Sequence, residues 1–398
     1  MNNIDLAIIG GGPAGLMADF WAKRQGLKTL IIEKNKLGSK ILVSGNGRCN
    51  FTNQASSLRN LVSNYQNGEF LYRAFSEFGP KEIISFFEEN GVEVKSENSK
   101  VFPASDRAED ILEVFESGVG NVIKGKAVEF KTKNEKVVSV IVKTPKGSKE
   151  IEAQNFLLAA GGSSYPHLGS DGSGFDLARS LNHKIINPLP GLVPIKCDDE
   201  RATNLQGINL KDIEVLTKKE KERGDLIFTH FGFSGPAILN LSLKLSREIS
   251  ELKINLLPDF NRRELDDRLQ EIFKENKNLK NCLSTLFPKR FVKVIFSEFD
   301  LEKKGNKVTR EERKSILNKI RNLTFEGCEL LGFEHALATR GGVDLKEICS
   351  NTMKSRKYDN LFFAGEIINI VGRTGGFNMQ MCWSTGRLAA KFAFELDC

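Results

Sequence analysis

The stretch that most constrains this chain is Ile4 to Lys34. Ile4 to Ile9 is an apolar run long enough for one buried parallel strand. Gly10, Gly12 and Gly15 follow with G-x-G-x-x-G spacing. The first glycine allows the tight turn. The second lets backbone meet a pyrophosphate with no Cβ in the way, and the third lets the next helix lie close to the strand. Pro13 suits a first helical turn, where its missing N–H costs little. A helix is predicted over Ala14 to Gln25, closed by Gly26, then a second strand over Lys28 to Ile32. Glu33 ends that strand, where a carboxylate can accept both ribose hydroxyls of an adenosine. A strand, a helix and an acid in this order point to a dinucleotide site. The motif alone does not choose between FAD and NAD.

Behind Glu33, the segment Leu37 to Asn53 crowds glycine, serine and asparagine together, which predicts a ligand-facing loop with available backbone N–H groups. Arg48 adds a fixed cation suited to a pyrophosphate or an anionic ring. Residues 56–117 read as mainly helical, with Leu71, Phe75, Phe78, Ile83, Ile84, Phe86 and Phe87 as core, and a hairpin over Val92 to Val101. Three strands are predicted at Val122 to Lys131, Lys136 to Lys143 and Lys149 to Ile151. Gly118 and Gly120 do not open a second nucleotide fold, because Ile123 occupies the third glycine position. Asn155 to Ala160 is a further apolar strand, followed by Gly161-Gly162 and a loop from Ser163 to Gly174. A short helix covers Phe175 to Leu181, and Pro188 to Gly191 marks a crossing between domains.

Residues 191–334 differ in texture. Short strands are expected at Val193 to Cys197, Leu205 to Leu210, Ile213 to Lys218 and Asp225 to Phe228. Thr229 to Leu239 is a loop entering a helix. Residues 262–322 are charged and helical, with Leu265, Leu269, Ile272 and Phe273 as one apolar stripe. The first style then returns: Asn360 to Ala364 is a buried-type strand, Gly365-Glu366 follows, and Gly372 to Gly376 opens a final helix from Phe377 to about Leu396.

That return favours a flavin. An NAD-only site has no need of a second cradle, whereas the isoalloxazine end of FAD gains from a helix N-terminus near the ring atoms that collect negative charge on reduction. Gly376, Phe377, Asn378 and Met379 would bring backbone N–H groups there, with Glu366 near the ribityl chain.

Four motifs make the match specific: Ser44 to Asn50, Phe228-Thr229-His230 with Ser234 to Ala237, Thr352 to Ser355, and Gly375 to Gln380. In this order they resemble the bacterial BaiN/RdsA family of NAD(P)/FAD-dependent oxidoreductases, the YhiN-type flavoproteins, essentially end to end. The resemblance implies an α/β fold: a discontinuous FAD-binding Rossmann-like domain of glutathione-reductase type over 1–190 and 335–398. It further implies an inserted β-barrel-like subdomain over 191–258 and 323–334 and a helical subdomain over 259–322. It carries the FAD contacts onto Gly10, Gly12, Ala14, Gly15, Glu33, Lys34, Lys40, Ser44, Arg48, Cys49, Asn50, Val128, Gly161, Gly365, Glu366, Gly376, Asn378 and Met379, with Val128 meeting adenine through its backbone. Pro13, Gly45, Ala160, Gly375 and Phe377 complete the expected surface. The chain departs from the family pattern at Ser39, Asn369 and Val371, which touches the flavin surroundings.

The resemblance implies hydride transfer from NAD(P)H through FAD to a small organic acceptor, with an enone-type double bond as one acceptor class. Tyr165, His230 and Arg340 lie in glycine-rich loops and are the candidate proton donors. Cys49 sits in the flavin-side loop, where a packed, inert thiol is expected because no resolving cysteine stands nearby. Two alternatives remain: a flavin-dependent RNA-modifying enzyme and a non-catalytic flavin-bound redox sensor. The net charge of +7 permits an acidic partner, but glutamates interleave the basic stretch Lys303 to Lys319, which argues against nucleic acid. Seven scattered cysteines without a C-x-x-C pair support no zinc site and suit a reducing cytosol. No apolar run approaches spanning length and no leader pattern precedes the first strand, so a cytoplasmic protein without membrane contact is expected. Oligomeric state is not legible.

Overall fold

The computed structural model describes residues 4–116, 118–245 and 248–394. The chain divides into two compact units, Met1–Gly191 with Leu337–Cys398, and Leu192–Ala336.

The first unit is built on a five-stranded parallel sheet in the order Leu361–Phe363, Asn155–Leu158, Leu6–Ile9, Thr29–Glu33, Asn121–Lys124. The central strand Leu6–Ile9 is buried at every position, as its unbroken apolar run requires. The helix Pro13–Arg24 makes the crossover to Thr29–Glu33. The last helix, Phe377–Phe392, packs against this first helix. Their approach is glycine-dependent: a Cβ on Gly386 would lie 2.2 Å from the Ala14 carbonyl oxygen. A Cβ on Gly15 would lie 1.9 Å from the Gly10 carbonyl oxygen, which brings the same helix onto its strand. The phenylalanines expected in the core are there. Phe86, Phe87 and Phe115 surround Trp383 and Phe20, and the Phe115 and Trp383 rings stack with centroids 5.6 Å apart. Each such pair contributes about 0.5–1.5 kcal/mol beyond its buried area. An antiparallel sheet of Lys126–Lys133, Lys136–Thr144 and Gly147–Glu152 completes the larger elements.

The second unit is a closed antiparallel barrel in the order Ile195–Cys197, Gly232–Ser234, Lys221–Thr229, Asn209–Leu216, Glu248–Asn255, Leu323–Leu330. The helices Arg262–Phe273, Leu279–Leu283, Lys289–Ile295 and Arg310–Arg321 lie between its last two strands in sequence. Asn261 with Glu264, and Thr309 with Glu312, form capping boxes at two of them. The stripe Leu265, Leu269, Ile272 and Phe273 is buried in one core with the barrel residues Phe228, Phe233 and Phe325.

Several local expectations are corrected. Leu37 to Asn53 is not simply a loop: Ser39–Val43 is a helix anchored by the buried Ile41, followed by a tight turn at Ser44–Gly47. The strand expected over Val122 to Lys131 is two. Gly125 parts them, because a Cβ there would sit 2.7 Å from the Lys143 carbonyl oxygen; Asn121–Lys124 joins the parallel sheet and Lys126 starts the antiparallel one. Leu205 to Leu210 and Ile213 to Lys218 merge into Asn209–Leu216, with the register shifting between Leu210 and Ile213. Pro188 to Gly191 lies in the strand Ile185–Gly191, paired with Ala338–Val343, with a register break at Pro188 between Ile186 and Leu189; the division between the two units follows directly, after Gly191, where the crossing is expected. The charged strands Glu248–Asn255 and Leu323–Leu330 were not foreseen. The last helix ends at Phe392; its expected end near Leu396, and Cys398, lie outside the described residues.

Gly386→Ala tests the helix contact. Alanine gains about 1 kcal/mol of helix propensity, but the colliding atom is a backbone oxygen that cannot rotate away, and overpacking costs about 1–3 kcal/mol. Urea unfolding should show net destabilisation; an unchanged or raised midpoint would refute the contact.

Candidate cofactor site

The glycine turn divides its labour as the spacing implies. Gly10 has φ +109°, and a Cβ on it would lie 2.4 Å from the Ala159 carbonyl oxygen. Gly15 has no more room. Around Gly12, by contrast, a Cβ would meet nothing within 4 Å. Two glycines are therefore demanded by packing and the middle one by open space at the start of a helix. No side chain caps that start, where Gly12 is the N-cap and Pro13 occupies the first turn. First-turn N–H groups and the helix dipole favour an anion there. Glu33 stands beside the turn. Its Oε2 accepts from the Gly11 N–H at 2.7 Å and its Oε1 from the Asn35 N–H at 2.7 Å, which fixes the carboxylate and leaves it lone pairs for hydroxyls. Val128 is the extra residue of a bulge between Ala127 and Glu129, so its backbone stands outside the ladder, the arrangement an adenine contact needs.

A clasp closes the middle of the unit around Glu366. Lys40 Nζ donates to Glu366 Oε2 at 2.5 Å and to Ser164 Oγ at 2.9 Å. Ser164 Oγ and the Thr339 N–H donate to Oε1, each at 2.7 Å. Thr339 Oγ1 in turn accepts from the Ser163 and Ser164 N–H groups at 2.8 and 3.1 Å. Burial pushes the Glu366 carboxyl up, but the Lys40 charge and the converging hydrogen bonds outweigh it and hold the group below the ordinary glutamate range. Ala160 and Gly161 lead into this loop. Gly161 and Gly365 adopt φ of +73° and +75°, and the Gly365 N–H is held by Thr385 Oγ1 at 3.0 Å.

The start of the last helix is fastened on every side. Gly376 has φ +93°, and a Cβ on it would lie 2.3 Å from the Thr52 carbonyl oxygen. The Asn50 amide accepts from the Gly376 N–H at 3.0 Å and donates to the Thr52 carbonyl at 2.9 Å. Asn53 Nδ2 donates to the Gly375 carbonyl at 2.9 Å, and Tyr65 donates its hydroxyl to the Phe377 carbonyl at 2.7 Å. Asn378 bridges the Gly372 N–H and carbonyl at 2.8 and 2.9 Å. With the Gly376 N–H taken by Asn50, the donors left to a ring are the first-turn N–H groups of Phe377, Asn378 and Met379, which the helix ladder does not satisfy.

Other expected contacts are engaged elsewhere. The Arg48 guanidinium is bound to Glu97 and Asp106, both at 2.6 Å, and lies over the Phe102 ring. These pairs tie the turn to the neighbouring hairpin. Lys34 pairs with Asp171 at 2.6 Å. Ser44 Oγ donates to the Ile41 carbonyl, and Gly45 takes φ +57° next to the Asn50 N–H. Cys49 is fully buried, and burial pushes its thiol up to about 12, so it is an inert packed group at neutral pH. Tyr165 and Arg340 adjoin the clasp in sequence, next to Ser164 and Thr339. Burial pushes the Tyr165 phenol up. His230 is exposed at a turn of the second unit. Sequence reasoning missed Ser164, Thr339, Asn53 and Tyr65 as parts of the site, since no local motif links residues so far apart. Among the described residues no cluster of three or more His, Cys, Asp or Glu could hold a metal, and no helix is long and apolar enough to cross a membrane.

The family model for the HI0933-like protein Rossmann domain matches residues 4–392. A 3-dehydro-bile acid delta(4,6)-reductase of Clostridium scindens is 28% identical over 99% of this chain and 100% of its own length. Ribosomal RNA dihydrouridine synthases of Haemophilus influenzae and Escherichia coli are each 29% identical, over 96% and 98% of both chains respectively. The solved 3-ketosteroid-delta4-(5alpha)-dehydrogenase of Rhodococcus jostii RHA1 superposes with a TM-score of 0.54 at 13% identity, covering 98% of this chain and 96% of its own. The fold is thus a FAD-binding Rossmann-like domain of glutathione-reductase type, carrying an inserted six-stranded barrel.

Glu366→Gln tests the clasp. It leaves the Lys40 ammonium, only 20% exposed along its side chain, without its counter-charge. Breaking a fully buried pair costs about 3–5 kcal/mol; partial solvation of Lys40 brings the expected loss to about 2 kcal/mol at pH 7. Because the folded carboxyl is lowered, its stabilisation is complete above about pH 4.3 and is lost as pH falls through the lowered value. Urea midpoints of the two proteins should therefore differ at pH 7 and converge in strong acid. A difference that is independent of pH would reject the ion pair as its source.

Proposed function

The chain belongs to the HI0933-like Rossmann family, and on that footing we propose that it is an FAD-dependent reductase that draws hydride from NAD(P)H and delivers it to a carbon–carbon double bond conjugated with a carbonyl. The observation that carries this reading is the pairing, within one unit, of an open glycine turn at Gly12 with a fastened helix start at Phe377, the two ends a flavin dinucleotide requires. The relatives support the bond type. A delta(4,6)-reductase of a 3-dehydro compound and a dihydrouridine synthase both saturate a double bond in conjugation with a carbonyl.

The Gly12 turn, Glu33 and the Val128 bulge would hold the adenosine diphosphate end. The Glu366 clasp would lie along the ribityl chain, and the start of the last helix would face the ring. FAD, when bound, supplies hydride transfer between reductant and acceptor. The acceptor oxygen gains charge as hydride arrives at the far carbon, and the protein must meet that charge. Tyr165 suits the role: like any phenol its hydroxyl is protonated through the neutral range, so it can donate a hydrogen bond to the developing charge and then a proton. Arg340, half-buried beside Thr339, lies in the strand Ala338–Val343 and not in the loop expected for it, and would supply a fixed cation. His230, the third residue the sequence offers, belongs to the second unit and takes no part in this assignment. With no second nucleotide fold in the sequence, NAD(P)H would bind transiently.

A second reading takes a uracil ring in RNA as the acceptor. The two dihydrouridine synthases favour it, being as similar and as fully covered as the bile-acid relative.

The test is an anaerobic absorbance spectrum of the purified protein, followed on addition of NADH and then NADPH. Bleaching of a flavin spectrum by either supports the reading and identifies the donor. Reoxidation by a 4-en-3-one steroid, but not by unmodified ribosomal RNA, assigns a small enone acceptor; the reverse assigns the uracil ring. A flavin indifferent to both nucleotides, or a protein that cannot be loaded with FAD, would falsify the proposal. Tyr165→Phe should lower the reoxidation rate by about 10²-fold or more, the usual share of general acid catalysis, and leave bleaching by the nucleotide nearly unchanged.

A further inference from the structure

The second unit holds a feature with no part in the flavin reading. Ile195–Cys197 and Leu323–Leu330 are its first and last strands in chain order, and their pairing closes the barrel. Only three residue pairs make that seam: Ile195 with Leu330, Lys196 with Glu329, and Cys197 with Cys328. The Cys197 N–H is given to the Phe231 carbonyl at 2.9 Å, towards the other neighbour. Cys197 and Cys328 therefore form a non-hydrogen-bonded cross-strand pair, the position where facing side chains come closest. Their sulfurs are 3.0 Å apart. The Cα spacing of such pairs, about 4.5 Å, falls within the range a disulfide spans. Both thiols are free and buried, at 2% and 4% exposure.

We propose that Cys197 and Cys328 form a reversible disulfide across the closing seam of the barrel when the protein meets hydrogen peroxide. The Cys197 thiolate attacks one peroxide oxygen, giving a sulfenic acid and releasing hydroxide. The Cys328 sulfur then attacks the Cys197 sulfur, the S–S bond forms, and the sulfenic oxygen leaves as water with the Cys328 proton. Two thiols lose two electrons and two protons, and one peroxide becomes two waters. A dithiol reverses the step by exchange. The order of attack follows from the pair itself. The Cys328 S–H donates to Cys197 Sγ, which holds Cys197 below the ordinary thiol range and lifts Cys328 above it. Asp199 is neutralised by Arg201 at 2.6 Å, so this neighbouring carboxylate does not counteract the effect in full. A small oxidant suits the burial, and a three-residue strand is the kind of element that opens locally.

Closure would join positions 131 residues apart, a long loop for which cross-linking restrains the unfolded chain strongly. The test treats the full-length protein with hydrogen peroxide, blocks remaining thiols and maps tryptic peptides with and without dithiothreitol. The expected result is a linked Cys197–Cys328 peptide, 2 Da lighter than the two free peptides and absent after reduction, with a raised urea midpoint. Limited proteolysis between 198 and 327 should then leave fragments that stay joined until reduced. Cys328→Ser should abolish the linked peptide. Two alkylated thiols, a Cys197 sulfinic acid without linkage, or pairing of either residue with another cysteine would overturn the proposal. None of these readouts needs bound flavin or turnover.

Discussion

The first unit depends on one close approach of backbone to backbone. Gly15 lets the first helix lie against the turn at Gly10, and Gly386 lets the last helix lie against the same segment at Ala14. At separations where a single methyl group would collide with a carbonyl oxygen, the two helices and the central strand behave as one packed body. Everything the site needs follows from that body. The open space at Gly12 exists because its neighbours are closed. The helix that begins at Phe377 is pinned to the first helix at Gly386.

Electrostatics then assigns work within the frame. Glu366 gathers donors from three distant segments, Lys40, Ser164 and Thr339, so that one carboxylate joins a helix, a loop and a strand. The cost of burying its charge is met by Lys40 and by hydrogen bonds to both oxygens, the condition under which a buried carboxylate stays ionised. The helix start contributes polarity of the opposite sign, and four side chains, Asn50, Asn53, Tyr65 and Asn378, fix its direction through backbone atoms. Such fixed donors need little reorganisation when charge develops nearby.

What could be read in the sequence was what is local. The glycine turn, the first helix and Glu33 are recognisable because their chemistry is confined to about thirty consecutive residues. The last helix announces itself through Gly375-Gly376 and an apolar start. Glu366 was legible from its place after the returning strand, but its partners could not be read, because positions 40, 164, 339 and 366 share no period or motif. The carboxylate partners of Arg48 could not be read either, because Glu97 and Asp106 come to it only through the fold. The strands Glu248–Asn255 and Leu323–Leu330 escaped notice because an irregularity at Ser250 and Gly327 breaks the alternation that marks a half-buried strand. Gly125 was passed over because a single glycine inside a strand-like stretch does not tell that one sheet hands over to another there.

The two halves of the cofactor cradle sit far apart in the order of synthesis. The turn that would take the pyrophosphate is complete once Glu33 has been made, whereas the helix that would face the ring begins at Phe377. At usual translation rates the ribosome needs roughly 20–70 s to cover the residues between them. The inserted unit, with its own core, ends at Ala336 and can fold within that interval. The parallel sheet cannot, since its edge strand Leu361–Phe363 and the helix bearing Gly386 emerge afterwards. The two halves of the cradle are therefore present together only after the helix from Phe377 has been made.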